Sequence, residues 1–202
     1  MMPKIEPIDS SYAQNDFGKA FYSIVRCHRP TVLVEIGVLH GYSALHMGMS
    51  VKHNHSLYGH PGILKCYDIW DKYQYNHAIK NEVQERVNKY ELQDYVKLEE
   101  CDAFEVHKFY SNSDVHLAHI DISNDGTIVE EMLNLWHPKI CGRGMIIFEG
   151  GSEERDRVEW MIKYNKKPIS PFIQNSPVIQ EKYWHGIYRK FPSLTILLKI
   201  KE

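Results

Sequence analysis

Along most of the chain, short apolar runs alternate with stretches of helical periodicity. The run Val32-Leu33-Val34-Glu35-Ile36 is short, rich in β-branched residues and nearly continuous, which predicts a strand buried on both faces. Gly37 and Gly41 follow, and a helix is expected over 42–49. Such glycines bracket a tight strand-to-helix turn, because glycine accepts positive φ and lets a ligand approach the backbone. Upstream, Phe21, Ile24 and Val25 mark one face of a helix over 17–27, ended by His28-Arg29-Pro30. Residues 1–16 are irregular.

Downstream, 52–62 is polar, carries His53, His55 and His60, and reads as a loop. A second strand over 63–67 ends at Asp68, and a helix over 76–90 has a stripe of Ile79, Val83 and Val87. Val96-Lys97-Leu98 is a short third strand, and 115–120 a fourth that ends at Asp121. A helix over 127–136 turns Ile128, Met132 and Leu135 inward; Gly142-Arg143-Gly144 then reads as a turn into a fifth strand, 145–148, ending at Glu149. A helix is expected over 153–164, and a last strand at Thr195-Ile196-Leu197-Leu198 with an antiparallel neighbour over 186–190. Strand–helix alternation of this kind predicts an α/β, Rossmann-like, doubly wound and mostly parallel sheet with helices on both faces.

The 202 residues fit a single domain over 1–202. With 24 Lys and Arg against 26 Asp and Glu, the net charge of −2 leaves no electrostatic footprint for nucleic acid or an anionic membrane. No apolar run approaches the roughly 18 residues of a membrane span, and the polar start (Lys4, Glu6, Asp9) is unlike a signal peptide. Cys27, Cys66, Cys101 and Cys141 lie far apart with no C-x-x-C pair, as expected of reduced thiols in a cytoplasmic protein. No pattern bears on oligomeric state.

The chemistry concentrates at strand ends. In open α/β sheets ligands bind outside the carboxyl ends of the strands. Here carboxylates stand at or just after five of them: Glu35, Asp68, Asp102, Asp121 and Glu149. The first turn lacks the third glycine of G-x-G-x-x-G, and Glu35 would repel a pyrophosphate but attract a sulfonium or α-ammonium group. That favours S-adenosylmethionine (SAM) over a nicotinamide dinucleotide. Asp68 is suited to both ribose hydroxyls, with Ile69 packing on the adenine face.

Taken together, Val34-Glu35-Ile36-Gly37-Val38…Gly41-Tyr42-Ser43, Tyr67-Asp68, Cys101-Asp102-Ala103, His119-Ile120-Asp121 and Leu135-Trp136-His137-Pro138…Gly142-Arg143-Gly144-Met145-Ile146-Ile147-Phe148-Glu149 resemble the class I SAM-dependent methyltransferases, in particular their compact O-methyltransferase branch. The resemblance implies a seven-stranded sheet closed by an antiparallel C-terminal hairpin. It also implies that Glu35, Gly37, Gly41, Tyr42 and Ser43 line the methionine half of the cofactor, that Asp68 takes the ribose, and that Asp102 and Ala103 sit at the adenine. Asp121, the last of the cofactor-site candidates, is expected to face the acceptor together with Glu149, directly or as ligands of Mg²⁺ or another divalent cation. The acceptor is expected to be a small molecule, with 168–190 as a variable segment covering it.

Two features depart from the family pattern. Strand five ends in Glu149-Gly150 where metal-dependent members have aspartate then asparagine, and Asn124 stands where the catechol enzymes place a lysine base. Asp125, His119 and His185 are substitute bases. Three other readings compete. Asp121 and Glu149 cap the following helices; the protein binds SAM without turnover; or the fold transfers an aminopropyl group.

Overall fold

The computed structural model describes residues 5–201; Lys4 of the polar start and the rest of 1–4 in the irregular segment lie outside them. The strands are β1 (Val32–Ile36), β2 (Ile63–Asp68), β3 (Val96–Glu100), β4 (Val115–Ile120), β5 (Ile140–Glu149), β6 (Tyr183–Tyr188) and β7 (Leu194–Lys199). The helices are α1 (Phe17–His28), α2 (Tyr42–Tyr58), α3 (Lys80–Lys89), α4 (Gly126–Trp136), α5 (Glu153–Asp156), α6 (Glu159–Lys163), α7 (Ser170–Asn175) and α8 (Pro177–Lys182). The strands form one sheet in the order β3-β2-β1-β4-β5-β7-β6, the expected α/β fold with its antiparallel C-terminal hairpin. Contacts gather into two units that divide at Val106/His107.

In the first unit β2 pairs in parallel with both β1 and β3, so the three carboxyl ends lie side by side, with Ile36 opposite Tyr67 and Asp68 opposite Glu100. Every residue of α2 from Ser43 to Val51 is buried, a helix packed on all sides. Gly48 permits this: a Cβ there would lie 2.3 Å from Val96 Cγ2.

Of the segment 52–62 only 59–62 is a loop, because α2 continues to Tyr58. The polar residues belong to its exposed side, while buried Asn54 ties the last turns to α1 through Nδ2 donating to Val25 O at 2.9 Å. Gly59, in the left-handed region at φ 63°, ends the helix. The helix expected over 76–90 begins only at Lys80. Ile79 is its N-cap and 49% exposed, so the buried stripe is reduced to Val83 and Val87.

In the second unit β4 and β5 are parallel, β7 pairs antiparallel with β5, and β6 forms the edge. Gly142-Arg143-Gly144 does not precede the fifth strand but lies inside it, because β5 starts at Ile140. Arg143 sits at φ 65° and the register against β4 slips between Val115 and Leu117, a bulge rather than a turn. The inward face of α4 is Val129, Met132, Leu133 and Trp136; Ile128 and Leu135 are half-buried at its margin. The helix expected over 153–164 is two short helices, α5 and α6, parted at Arg157-Val158. Within 168–190, everything from Tyr183 to Tyr188 is edge strand β6, so only the part carrying α7 and α8 is available as a cover.

Candidate functional site

The turn after β1 is built from backbone conformations that few side chains adopt. Gly37 and Gly41 stand at φ 84° and 81°, and Leu39 between them at 46°. Gly37 N donates to Tyr67 O at 2.9 Å and Gly41 N to Val38 O at 2.9 Å. Gly41 is the N-cap of α2 and supplies no side-chain cap. The first helical bond is Leu45 N to Gly41 O at 3.0 Å. The N–H groups of Tyr42, Ser43 and Ala44 therefore have no intrahelical acceptor, and such donors suit a carboxylate.

Asp68 holds that turn from the end of β2. Its Oδ2 accepts from Val38 N at 2.7 Å and Leu39 N at 3.1 Å, and its Oδ1 from Trp70 N at 3.0 Å. Three of a carboxylate's roughly four acceptor positions are thus used, and one remains for a hydroxyl. Trp70 is a bulky residue at φ 53°, held there by full burial and by Nε1 donating to Glu99 O at 3.0 Å. Ile69 beside it is half-buried.

Glu35 is fully buried. The Ser43 hydroxyl donates to its Oε1 and the Cys66 thiol to its Oε2 at 3.3 Å. Burial, then the neighbouring carboxylate, pushes the Cys66 thiol well up from its ordinary range. Tyr42 accepts Gly18 N on its hydroxyl at 3.1 Å and so fixes α1 beside α2; burial raises its phenol. Asp102 is exposed and turns the chain, its Oδ1 accepting from Phe104 N at 2.9 Å, while Ala103 is half-buried. Cys101 N donates to Asp68 O at 3.1 Å, joining this corner to the end of β2. All the first-unit candidates therefore cluster around the ends of β1, β2 and β3.

The second unit holds Asp121 and Glu149. Ile120 pairs with Phe148, so the two carboxylate residues follow at the same level of adjacent strands. Glu149 is 4% exposed, and its Oε1 accepts from Arg155 Nε at 3.0 Å, Arg155 Nη2 at 2.8 Å and Asn124 Nδ2 at 3.0 Å. The guanidinium carbon lies 4.8 Å from the Trp160 ring centroid and 5.7 Å from that of Phe191. Two buried atoms nearby have no hydrogen-bond partner among the described residues, Arg155 Nη1 and Asn124 Oδ1.

Neither carboxylate caps the following helix: Asp125 caps α4 and Ser152 caps α5. Of the substitute bases, Asp125 is committed to Thr127 N at 2.9 Å, His119 is fully buried within β4, and His185 is half-buried on β6. His53 and His55 project from α2 to the hydroxyls of Tyr22 and Tyr95 at 2.7 and 3.0 Å. Among the described residues no group of three or more His, Cys, Asp or Glu gathers as a metal site.

Arg155 escaped the sequence reading, although a signal for it was present. Gly150 and Gly151, both at φ 99°, followed by the capping Ser152, fold the chain back so that a residue six positions on reaches the strand end.

A family model described as a methyltransferase domain matches residues 34–149, more than half of the chain. The chain belongs to this methyltransferase family. Its fold is that of the class I SAM-dependent enzymes. The SAH-bound Podospora anserina methyltransferase PaMTH1 is 17% identical, with a TM-score of 0.66 over 96% of this chain and 80% of that one. The SAM complex of the O-methyltransferase TomG of Streptomyces achromogenes is 11% identical, with a TM-score of 0.65 over 98% and 84%. A Geobacter sulfurreducens methyltransferase is 11% identical, with a TM-score of 0.66 over 96% and 80%. Comparison with curated protein sequences finds no match. No described helix of the methyltransferase is long and apolar enough to cross a membrane.

Proposed function

We propose that this methyltransferase moves a methyl group from SAM to an oxygen of a small-molecule acceptor, and that the Gly37–Gly41 turn locked by Asp68 is its cofactor site. The observation that carries the cofactor half is the chemistry of that donor set: helix amides left open beside a carboxylate with acceptor capacity to spare. Bound SAM supplies a methyl carbon already activated by a sulfonium. The chain's task is then to bind, orient and exclude water, effects of proximity and orientation that supply roughly 7–11 kcal/mol. The amides of Tyr42 to Ala44 suit the amino-acid carboxylate, Asp68 a ribose hydroxyl, and Ile69 with Ala103 the base. In the transfer the sulfur–carbon bond breaks, an oxygen–carbon bond forms, and the acceptor's proton leaves to solvent or a base.

The choice of oxygen rests on the resemblance to the O-methyltransferase branch and on the likeness to TomG. A divalent cation is not part of this reading: the residues present do not fit one, because Glu149 Oε1 already receives three donors.

One observation favours a second reading, SAM binding without turnover. Asn124 cannot act as a base, and Asp125 and His119 are committed or enclosed. Release of SAH from SAM over a panel of hydroxylated small molecules separates the two. Turnover that falls in Asp121→Asn supports the enzyme; SAH binding with no turnover on any acceptor supports the alternative.

A further inference from the structure

We propose that Arg155 is a built-in cation, its guanidinium standing beside Glu149 where the sequence left room for a divalent ion. The inference rests on the methyltransferase reading, with the acceptor at the ends of β4 and β5. Geometry carries it first. Nε and Nη2 converge on one carboxylate oxygen at 3.0 and 2.8 Å, and Asn124 Nδ2 joins them at 3.0 Å. Mg²⁺ holds oxygen ligands at roughly 2.0–2.1 Å in a near-ideal octahedron, so an ion on Glu149 Oε1 must displace those donors and approach a like charge.

Burial carries it further. The two side chains are 6% and 5% exposed, and the guanidinium is flanked by the Trp160 and Phe191 rings. A charge pair so enclosed is not opened for solvent-borne ions, since either partner alone would be left desolvated.

The third observation is what surrounds the pair. Asp121 stands at the same strand level as Glu149, and Asn124 Oδ1 is a buried acceptor without a partner among the described residues. Asp121 and Glu149 lie at the ends of two adjacent strands and Asn124 in the loop after β4, three oxygen-bearing groups of the kind a hard cation prefers, with a guanidinium already supplying the positive charge. Removing the guanidinium is expected to turn this corner into a divalent-ion site.

Manganese binding to the full chain, followed by loss of the free-ion paramagnetic resonance signal, tests this without an acceptor. Wild type and Arg155→Lys are expected to bind no manganese at this corner. Arg155→Met is expected to bind it, at least about tenfold more tightly than any background binding by wild type, and Arg155→Met with Glu149→Gln to lose it again. Manganese bound by wild type and lost in Glu149→Gln overturns the proposal. So does an Arg155→Met protein, folded by circular dichroism, that binds no more than wild type. Should Arg155→Met fail to fold, wild type against Glu149→Gln decides alone. SAH calorimetry on the same preparations keeps the two readings apart: absent SAH binding defeats the cofactor assignment whatever the manganese result.

Discussion

At the end of β2 the Asp68 carboxylate is met by three backbone N–H groups and stays half-buried; at the end of β5 the Glu149 carboxylate is met by a guanidinium and a side-chain amide and is almost enclosed. Their positions in the fold are equivalent, each closing a parallel strand where ligands of α/β sheets bind. Their partners make them different tools. Backbone amides carry no net charge, so Asp68 remains an anion that shapes a turn and can still accept a hydroxyl. Arg155 cancels the charge of Glu149, leaving a neutral and rigid wall. A strand-end carboxylate is thus a ligand or a strut according to what reaches it from the following chain.

The contrast breaks most sharply on the buried pair. Arg155→Met leaves a carboxylate enclosed without compensation, and its unfolding free energy in denaturant is expected to fall by about 3–5 kcal/mol. Adding Glu149→Gln should restore much of that loss; a double variant no more stable than the single would show that the ion pair is not the cause. Asp68→Ala removes charge-assisted bonds worth roughly 1.5–3 kcal/mol each, from a half-exposed site where water replaces part of them. Its stability loss is expected to be the smaller of the two, and a larger one would invert the comparison.

The smallest effect is expected in acid. Burial holds the His46 imidazole below its ordinary range, with its Nδ1 bonded to Tyr42 O at 2.7 Å; His53 and His137 are shifted the same way. In a depressed histidine the unfolded chain binds the proton more readily. Stability from this source is full above the unfolded value near 6.5 and declines as pH falls below it. His46→Gln should flatten that part of the pH–stability curve, and an unchanged slope would assign it elsewhere.

The mostly apolar patterns of β1 and β4 were legible to the residue, because burial on both faces leaves little ambiguity of period, and β2, with Lys65 exposed in its middle, was legible to within one residue. The second half of α2 was not, since its exposed side is polar and its one inward anchor is an asparagine whose partner, Val25 O, is distant in sequence. Arg143 in β5 shows the same limit: Gly-Arg-Gly denotes a turn by composition, and only pairing with β4 makes it a bulge. At the site, Gly37, Gly41 and Asp68 could be located because turn chemistry is local. That Glu149 answers to Arg155 depends on a chain reversal and on two aromatic rings, one of them at Phe191, which no spacing rule connects.

The central claim, a cofactor turn locked by Asp68 in a methyltransferase that carries its own cation, is tested most directly by calorimetric titration with SAH in EDTA and again in Mg²⁺. Wild type is expected to bind with the same affinity in both, and Asp68→Ala to lose at least about tenfold, equivalent to roughly 1.4 kcal/mol. No binding by wild type, full binding by Asp68→Ala, or wild-type binding that tightens in Mg²⁺ would contradict it.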